Sequence, residues 1–386
     1  MCPLEWFFWV CFALATYTYI FYPILLVLAN CLVRHERAIG PVQTSVSFLL
    51  PVHNEAQNLE RRLDELSRMI EVSGLRGEII VISDASTDRT VEIARQFAQR
   101  GVRVIEMAPK QGKAAALNAG AAAASGGLLI FADARQRWAD DALLRLVENF
   151  ADPAIGAVSG DLMLERSPGV LAGVGLYWRF EKWLRRQESR LGSQVGVTGA
   201  ISAVRRSLFR TIPPGTLLDD VYWPMYVVLQ GYRVVHDERA KAFDRLPEDP
   251  RDEFRRKVRT LAGNFQLLTR LPAAALFPWA NRVWCQWISH KLLRLTVPWA
   301  LLGLFVSCFF LKSEWYQIFF WVQTAAYALG VLGLIPPLGR NIKLLGAAAS
   351  FLVLNAAAWL AFWVWITGRA GHSWHKAQYQ MPAESI

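Results

Sequence analysis

SVSFLLPVHNEAQNLERRLDELSRMIEVSGLRGEIIVISDAST, residues 45–87, decides the fold. Its first eight residues are a β-branched and apolar run that predicts a strand, EAQNLERRLDELSRMIEV is helix-like, and EIIVISDAS (78–86) is a second strand. The pattern continues outward. TDRTVEIARQFAQRG is expected as a helix, VRVIEMA as a strand, GKAAALNAGAAAA as a helix and LLIFADA (128–134) as a fourth strand. Strands alternating with helices over short connections imply an α/β domain, a mostly parallel sheet with helices on both faces. Such sheets bind ligands at the carboxyl ends of their strands. Three of these strands end in polar clusters there: PVHNE, SDASTD and ADAR.

Apolar stretches frame this domain. A spanning helix needs about 20 mostly apolar residues. WFFWVCFALATYTYIFYPILLVLANCLV (6–33), LTVPWALLGLFVSCFFL (295–311), WYQIFFWVQTAAYALGVLGLI (315–335) and LLGAAASFLVLNAAAWLAFWVWI (344–366) meet or nearly meet that length. The first is too long for a signal-peptide core and lacks a basic leader or small-residue cleavage site, so it reads as an anchor. Pro298 near one helix start and Trp or Tyr at several ends suit interfacial positions. Arg34 and Arg37 follow the first span, Lys291 and Arg294 precede the second, and Arg340 and Lys343 separate the third from the fourth. The positive-inside tendency then puts residues 34–294 in the cytoplasm and the N-terminus outside. Three C-terminal spans put the tail outside as well, with Arg369 and Lys376 set against the tendency. Residues 266–290 mix aromatic and basic side chains, are broken by Pro272 and Pro278, and are expected as helices in the membrane interface. The expected order is a membrane helix (1–33), a cytoplasmic domain (34–265), interfacial helices (266–294), three membrane helices (295–367) and a tail (368–386).

Composition agrees. The 386 residues are 53% hydrophobic with 16 Trp, more apolar than an ordinary soluble domain. A formal charge of +10 comes without a Lys/Arg block, zinc-ligand spacing or RNA-binding signature, which argues against nucleic acid as a partner. A basic face beside anionic lipid, handling diphosphates, accounts for it. The 5 Cys lie in or beside apolar segments, and an odd count without paired spacing argues against a disulfide framework and for a reducing compartment.

Six clusters carry the candidate chemistry. In PVHNEAQNL (51–59), Asn54 and Glu55 also suit a helix N-terminus. SDASTD (83–88) sets Asp84 at a strand end, while Asp88 suits either ligand binding or capping of the next helix. GKAAALNAG (112–120) is a Gly-Lys turn at a helix start, where a cation and N–H groups suit a diphosphate, although the Walker A spacing is absent. ADAR (132–135) offers the carboxylate of Asp133, and LLDDVYWPMYVVLQGYRV (217–234) the pair Asp219 and Asp220, whose repulsion raises the proton affinity of one. RRKVRTLAGNFQ (255–266) is a basic amphipathic helix that also suits anionic lipid.

In order and spacing these clusters resemble the family 2 glycosyltransferases, in particular the membrane-embedded branch of cellulose, hyaluronan, chitin-oligosaccharide and poly-N-acetylglucosamine synthases. The resemblance covers roughly residues 45–270 by motif and the rest by membrane layout. It implies an A-type nucleotide-diphospho-sugar transferase fold and donor contacts from Pro51, His53 and Glu55 at the base, Asp84 at the uridine and Lys113. Asp133 matches the family's Asp-x-Asp metal motif for Mg²⁺ or Mn²⁺, but Arg135 stands at the second carboxylate. Either one carboxylate with phosphates and water holds the ion, or Arg135 itself pairs with phosphate. The family's Thr-Glu-Asp is Leu218-Asp219-Asp220 here, which makes Asp220 the expected base. GVTGAISAVRRSLF (196–209), with Gly199, resembles the acceptor-side strand and turn. Arg256 and Arg259 are expected to close over the diphosphate, and Thr260 replaces the Trp that holds the acceptor sugar, a departure that bears on processivity.

The expected activity is inverting transfer from a nucleotide-sugar, with UDP as the expected nucleotide, to a growing polysaccharide at a bacterial inner membrane. Two alternatives stand beside it: addition of one sugar to a lipid-linked acceptor, and a non-catalytic membrane subunit that binds nucleotide-sugars. Membrane lipids are expected partners, and because four spans make a small pore, self-association or an accessory export subunit is expected too.

Overall fold

The computed structural model describes residues 2–33, 35–164, 171–244 and 250–369. Arg34, Lys376 and the tail beyond 369 lie outside them, as does the side chain of Arg340.

The expected strands form β1 (Ser45–Val52), β2 (Arg76–Asp84), β3 (Val102–Met107) and β4 (Leu128–Ala132). Four more follow: β5 (Arg137–Trp138), β6 (Ile155–Leu164), β7 (Ile201–Arg205) and β8 (Arg233–Asp244). The sheet order is β3-β2-β1-β4-β7-β6-β8-β5. β1 pairs in parallel with β2 and β4, β2 with β3, and β6 with β8, whereas β7 runs antiparallel to β4 and β6. The parallel strands read as unbroken apolar runs because both faces are covered. Successive side chains alternate between the faces: Phe48, Leu50, Ile79, Val81 and Ile130 enter one core, Leu49, Ile80, Ile82, Leu129 and Phe131 the other.

Helix Ala56–Ser73 closes the first core with Leu59, Leu63, Leu66 and Met69, one helical face, and stops at Gly74, whose φ of 66° is the left-handed conformation that caps helices. Each fully buried leucine contributes on the order of 2 kcal/mol. Helices Lys113–Ala123 and Asp219–Leu229 cover the opposite face.

Three helices are long and apolar enough to cross a membrane among the described residues: Pro3–Leu32, Trp284–Phe310 and Lys343–Ile366. The second starts before the expected residue 295, so the end of the expected interfacial region joins it and Pro298 lies inside it, not near its start. Its first turns look interfacial in sequence because His290, Lys291 and Arg294 face buried carboxylates of the domain. The third expected span forms helix Glu314–Gly333, which falls short of the same apolarity. Its Gln317 and Gln323 amides donate to Leu311 O and Leu301 O, each at 2.8 Å, so it runs back along Trp284–Phe310.

Helix Lys343–Ile366 covers the fourth expected span. Leu345 packs at Gly333, Phe351 lies 5.6 Å from Tyr19, Trp359 stacks on Trp299 at 4.9 Å and Trp365 on Phe265 at 5.5 Å. Phe265 belongs to helix Pro250–Arg270 of the domain itself. Aromatic packing thus ties the last turn of this helix to the domain.

Candidate active site

Adjacency of β2, β1 and β4 brings Asp84, His53 and Asp133 to neighbouring strand ends. Pro51 stays in β1, level with Ile82. The two loops beyond are knitted together. His53 Nδ1 lies 2.7 Å from Asp84 O, which puts the proton on Nδ1 because a carbonyl only accepts. Asn54 N donates to Ser86 Oγ at 3.1 Å, and Glu55 N to Thr90 Oγ1 at 2.9 Å. Asp88 accepts from Thr90 N and Ala56 N, the capping alternative read from sequence. The Glu55 carboxylate accepts from Asn58 Nδ2 at 2.9 Å. Asn54 and Ala85 take left-handed φ values of 54° and 55°. For Ala85 this strained conformation costs on the order of 1 kcal/mol, and the surrounding hydrogen bonds hold it in place.

Asp84 is 2% exposed. Its Oδ1 accepts from Gln111 N at 2.7 Å and its Oδ2 from Gly112 N at 2.8 Å. The carboxylate expected at the uridine thus grips the turn that opens helix Lys113–Ala123. Gly112, at φ 90°, adopts a conformation that disfavours any other residue.

That grip aims Lys113. Its Nζ donates to Asp133 Oδ1 at 2.9 Å. From the opposite side comes the turn before β7: Val197 N donates to Asp220 O at 2.7 Å, and Gly196, at φ 81°, packs against the same backbone. A methyl at Gly199 would sit 3.6 Å from Asp220 Cβ and 3.7 Å from Lys113 Nζ. Asp219 and Asp220 occupy the first turn of helix Asp219–Leu229, where the helix dipole favours negative charge. Lys113, Asp133, Asp219, Asp220 and Gly199 therefore share one half-buried pocket.

The charges there act on one another. Burial disfavours the Lys113 ammonium, yet Asp133, Asp219 and Asp220 outweigh it and raise its pKa. Burial and the neighbouring Asp219 push Asp220 up to about 6, against Arg185, Lys113 and Lys291. Asp219 is raised by burial and Asp133, with Lys113 and Arg259 opposing.

Arg135 turns away from this pocket. Its Nε and Nη2 reach the two carboxylate oxygens of Asp244 at 3.0 and 2.7 Å, and Gln136 Nε2 adds a third bond to Asp244 at 3.0 Å. No group of three or more His, Cys, Asp or Glu side chains stands at metal-holding distance among the described residues. Asp133 is thus a one-carboxylate site, which fits Mg²⁺ or Mn²⁺ only when donor phosphates and water complete the shell. On helix Pro250–Arg270, Arg256 pairs with Glu253 at 2.7 Å, and the Thr260 hydroxyl bonds back to Arg256 O at 2.9 Å. Sequence reasoning missed Arg185, whose Nη1 lies 3.4 Å from Thr198 Oγ1 beside Gly199. It belongs to no motif, and only the packing of helix Leu171–Leu191 reveals it.

Residues 47–212 match the family model described as Glycosyl transferase family 2. The poly-beta-1,6-N-acetyl-D-glucosamine synthase of Staphylococcus aureus (strain COL) is 25% identical over 232 residues, 58% of this chain and 56% of that protein. The Staphylococcus epidermidis protein of the same name is 26% identical over the same share. The chain thus spans just over half the length of these relatives. Among solved structures, a mannosyltransferase from Pyrobaculum calidifontis in complex with GDP-Man and Mn²⁺ aligns with a TM-score of 0.69 at 21% identity, covering 94% of this chain and 99% of that one. The A-type fold and the likeness to membrane polysaccharide synthases, both expected from the motifs, hold.

Proposed function

We propose that this chain, which carries a family 2 glycosyltransferase domain of the A-type fold, transfers a sugar from a nucleotide-sugar to a hydroxyl of a membrane-associated glycan, with inversion and with Asp220 as base. The observation that carries the reading is the shared pocket of Lys113, Asp133, Asp220 and Gly199. Direct displacement at the anomeric carbon needs three things here: stabilisation of the leaving diphosphate, an acceptor held opposite, and a base for its proton. Lys113 and the amides opening its helix suit the diphosphate, and Asp220 beside the open face at Gly199 suits the incoming hydroxyl. A divalent ion bound at Asp133 would offset charge on the departing phosphates. The names of the curated relatives support a polysaccharide product. A second reading, single addition to a lipid-linked acceptor, is favoured by Thr260, whose hydroxyl is turned onto its own helix where the family places an acceptor-stacking Trp.

The test is purified full chain in lipid, offered a panel of nucleotide-sugars with acceptor, with released nucleoside diphosphate measured. Release from no donor sinks the proposal. Chelation should lower turnover at least tenfold and raise the donor KM, because Asp133 alone does not complete an ion's shell, and Mg²⁺ or Mn²⁺ should restore both. Unchanged rates after exhaustive chelation would overturn metal assistance.

pH dependence supplies another check. A base works deprotonated, so kcat should rise with pH through about 6, the value to which burial and Asp219 push Asp220. Asp219→Asn removes a cause that raises this value, so the acidic limb should move to lower pH. A limb that stays in place, measured from pH 4.5 to 8, would contradict the coupling.

A further inference from the structure

A second charged group lies on the bilayer side of Asp220, where helices Leu171–Leu191, Pro250–Arg270 and Trp284–Phe310 meet. Glu181 alone receives Arg294 at 2.6 Å, Lys291 at 3.2 Å and Arg185 at 3.5 Å, while His290 bridges it to Glu188. Set against Glu181 and Glu188, these three cations leave one positive charge over. Lys257 joins them across the Tyr177 ring, 5.0 Å from its centre, and its Glu253 contact is 3.7 Å long because Arg256 already holds that carboxylate at 2.7 Å. Burial, with Arg256 and Arg185 acting against Glu253, holds the Lys257 ammonium below its usual range. The Nε atoms of Arg185 and Arg294 are buried with no hydrogen-bond acceptor among the described residues.

Buried cations in excess of their partners call for an anion. The donor's phosphates already have a place at Gly112 and Lys113, on the strand-end side of Asp220. This group faces the other way, beside Tyr22, Leu26 and Leu184, where the first membrane helix packs on helix Leu171–Leu191. Resting on Asp220 as the acceptor's base, we propose that Arg185, Lys257 and Lys291 bind a phosphate ester that joins the acceptor to a lipid, holding it at the bilayer edge while its hydroxyl reaches Asp220. Arg185 makes the link, since its Nη1 touches Thr198 beside Gly199. Arg185 supplies a donor fork for two phosphate oxygens and the lysines act as point charges.

The test is calorimetric titration of the full chain in detergent with farnesyl phosphate, farnesol and inorganic phosphate. Farnesyl phosphate should bind at least about tenfold more tightly than farnesol, the scale of one charge-assisted contact. Lys257→Gln, at the cluster's rim with 17% of its side chain exposed, should weaken farnesyl phosphate about tenfold, and Lys257→Arg should restore it. Arg185→Gln should weaken it by a similar factor. Equal affinity for farnesol and farnesyl phosphate, or unchanged affinity in both the Lys257→Gln and Arg185→Gln proteins, overturns the proposal. Inorganic phosphate binding as tightly as farnesyl phosphate, with the same loss in Lys257→Gln, overturns the lipid assignment and leaves a soluble phosphate ester as the occupant. In Asp220→Asn, farnesyl phosphate binding should persist without turnover. Turnover persisting there sinks the base and not the subsite.

Discussion

Asp220→Asn should lower turnover by about 10²- to 10⁴-fold, the range that a positioned general base contributes. The substitution keeps the shape of the side chain. The contacts that place this turn are main-chain ones, chiefly Val197 N to Asp220 O at 2.7 Å, so the amide leaves the pocket built as before. What it removes is the acceptor for the hydroxyl's proton. Donor affinity should change by less than about threefold, because Lys113 and the Gly112 turn are untouched, and the loss should fall on kcat rather than KM. Steady-state nucleoside diphosphate release beside direct donor binding separates the two. Near-normal kcat in the Asp220→Asn protein would remove Asp220 from the mechanism. Asp219→Asn is the matched control, since its carboxylate acts on Asp220 chiefly as a neighbouring charge.

The second large effect is on stability. Glu181→Gln should destabilise the folded chain by roughly 3–5 kcal/mol, the range for removing one partner of a buried ion pair. Its carboxylate is held well below its usual pKa, because His290, Lys291 and Arg294 outweigh the burial that opposes ionisation. Gln keeps the volume and one acceptor oxygen. It leaves Arg294, Lys291 and Arg185 facing one another with Glu188 as the nearest remaining counter-charge, and so loosens the joint between domain and membrane helix. Thermal unfolding in detergent should show a midpoint lower by about 4–6 °C for a chain of this length. An unchanged midpoint would mean that water, not Glu181, balances these cations.

The sheet was legible because burial on both faces wrote itself into residues 45–52 and 78–84 as apolar runs that end in polar clusters. The gathering of Lys113, Asp133 and Asp220 was legible for a related reason: strand ends are where a parallel sheet opens. The turn that Asp84 grips was not, because Gln111 and Gly112 stand 27 and 28 residues further along the chain. Arg135 was legible as a departure, but its partner Asp244 stands 109 residues away in sequence. The partners of the boundary charges were not legible: Lys291 and Arg294 pair inward with Glu181, more than 100 residues earlier in the chain. Hydropathy alone also does not show the partners of Lys343–Ile366, whose rings meet Tyr19, Trp299 and Phe265.

That helix also joins its bundle to the domain through rings. Phe265 meets Phe362 and Trp365, and Trp299 stacks on Trp359. Contacts of this kind carry no net charge, so this seam should keep its strength as ionic strength rises.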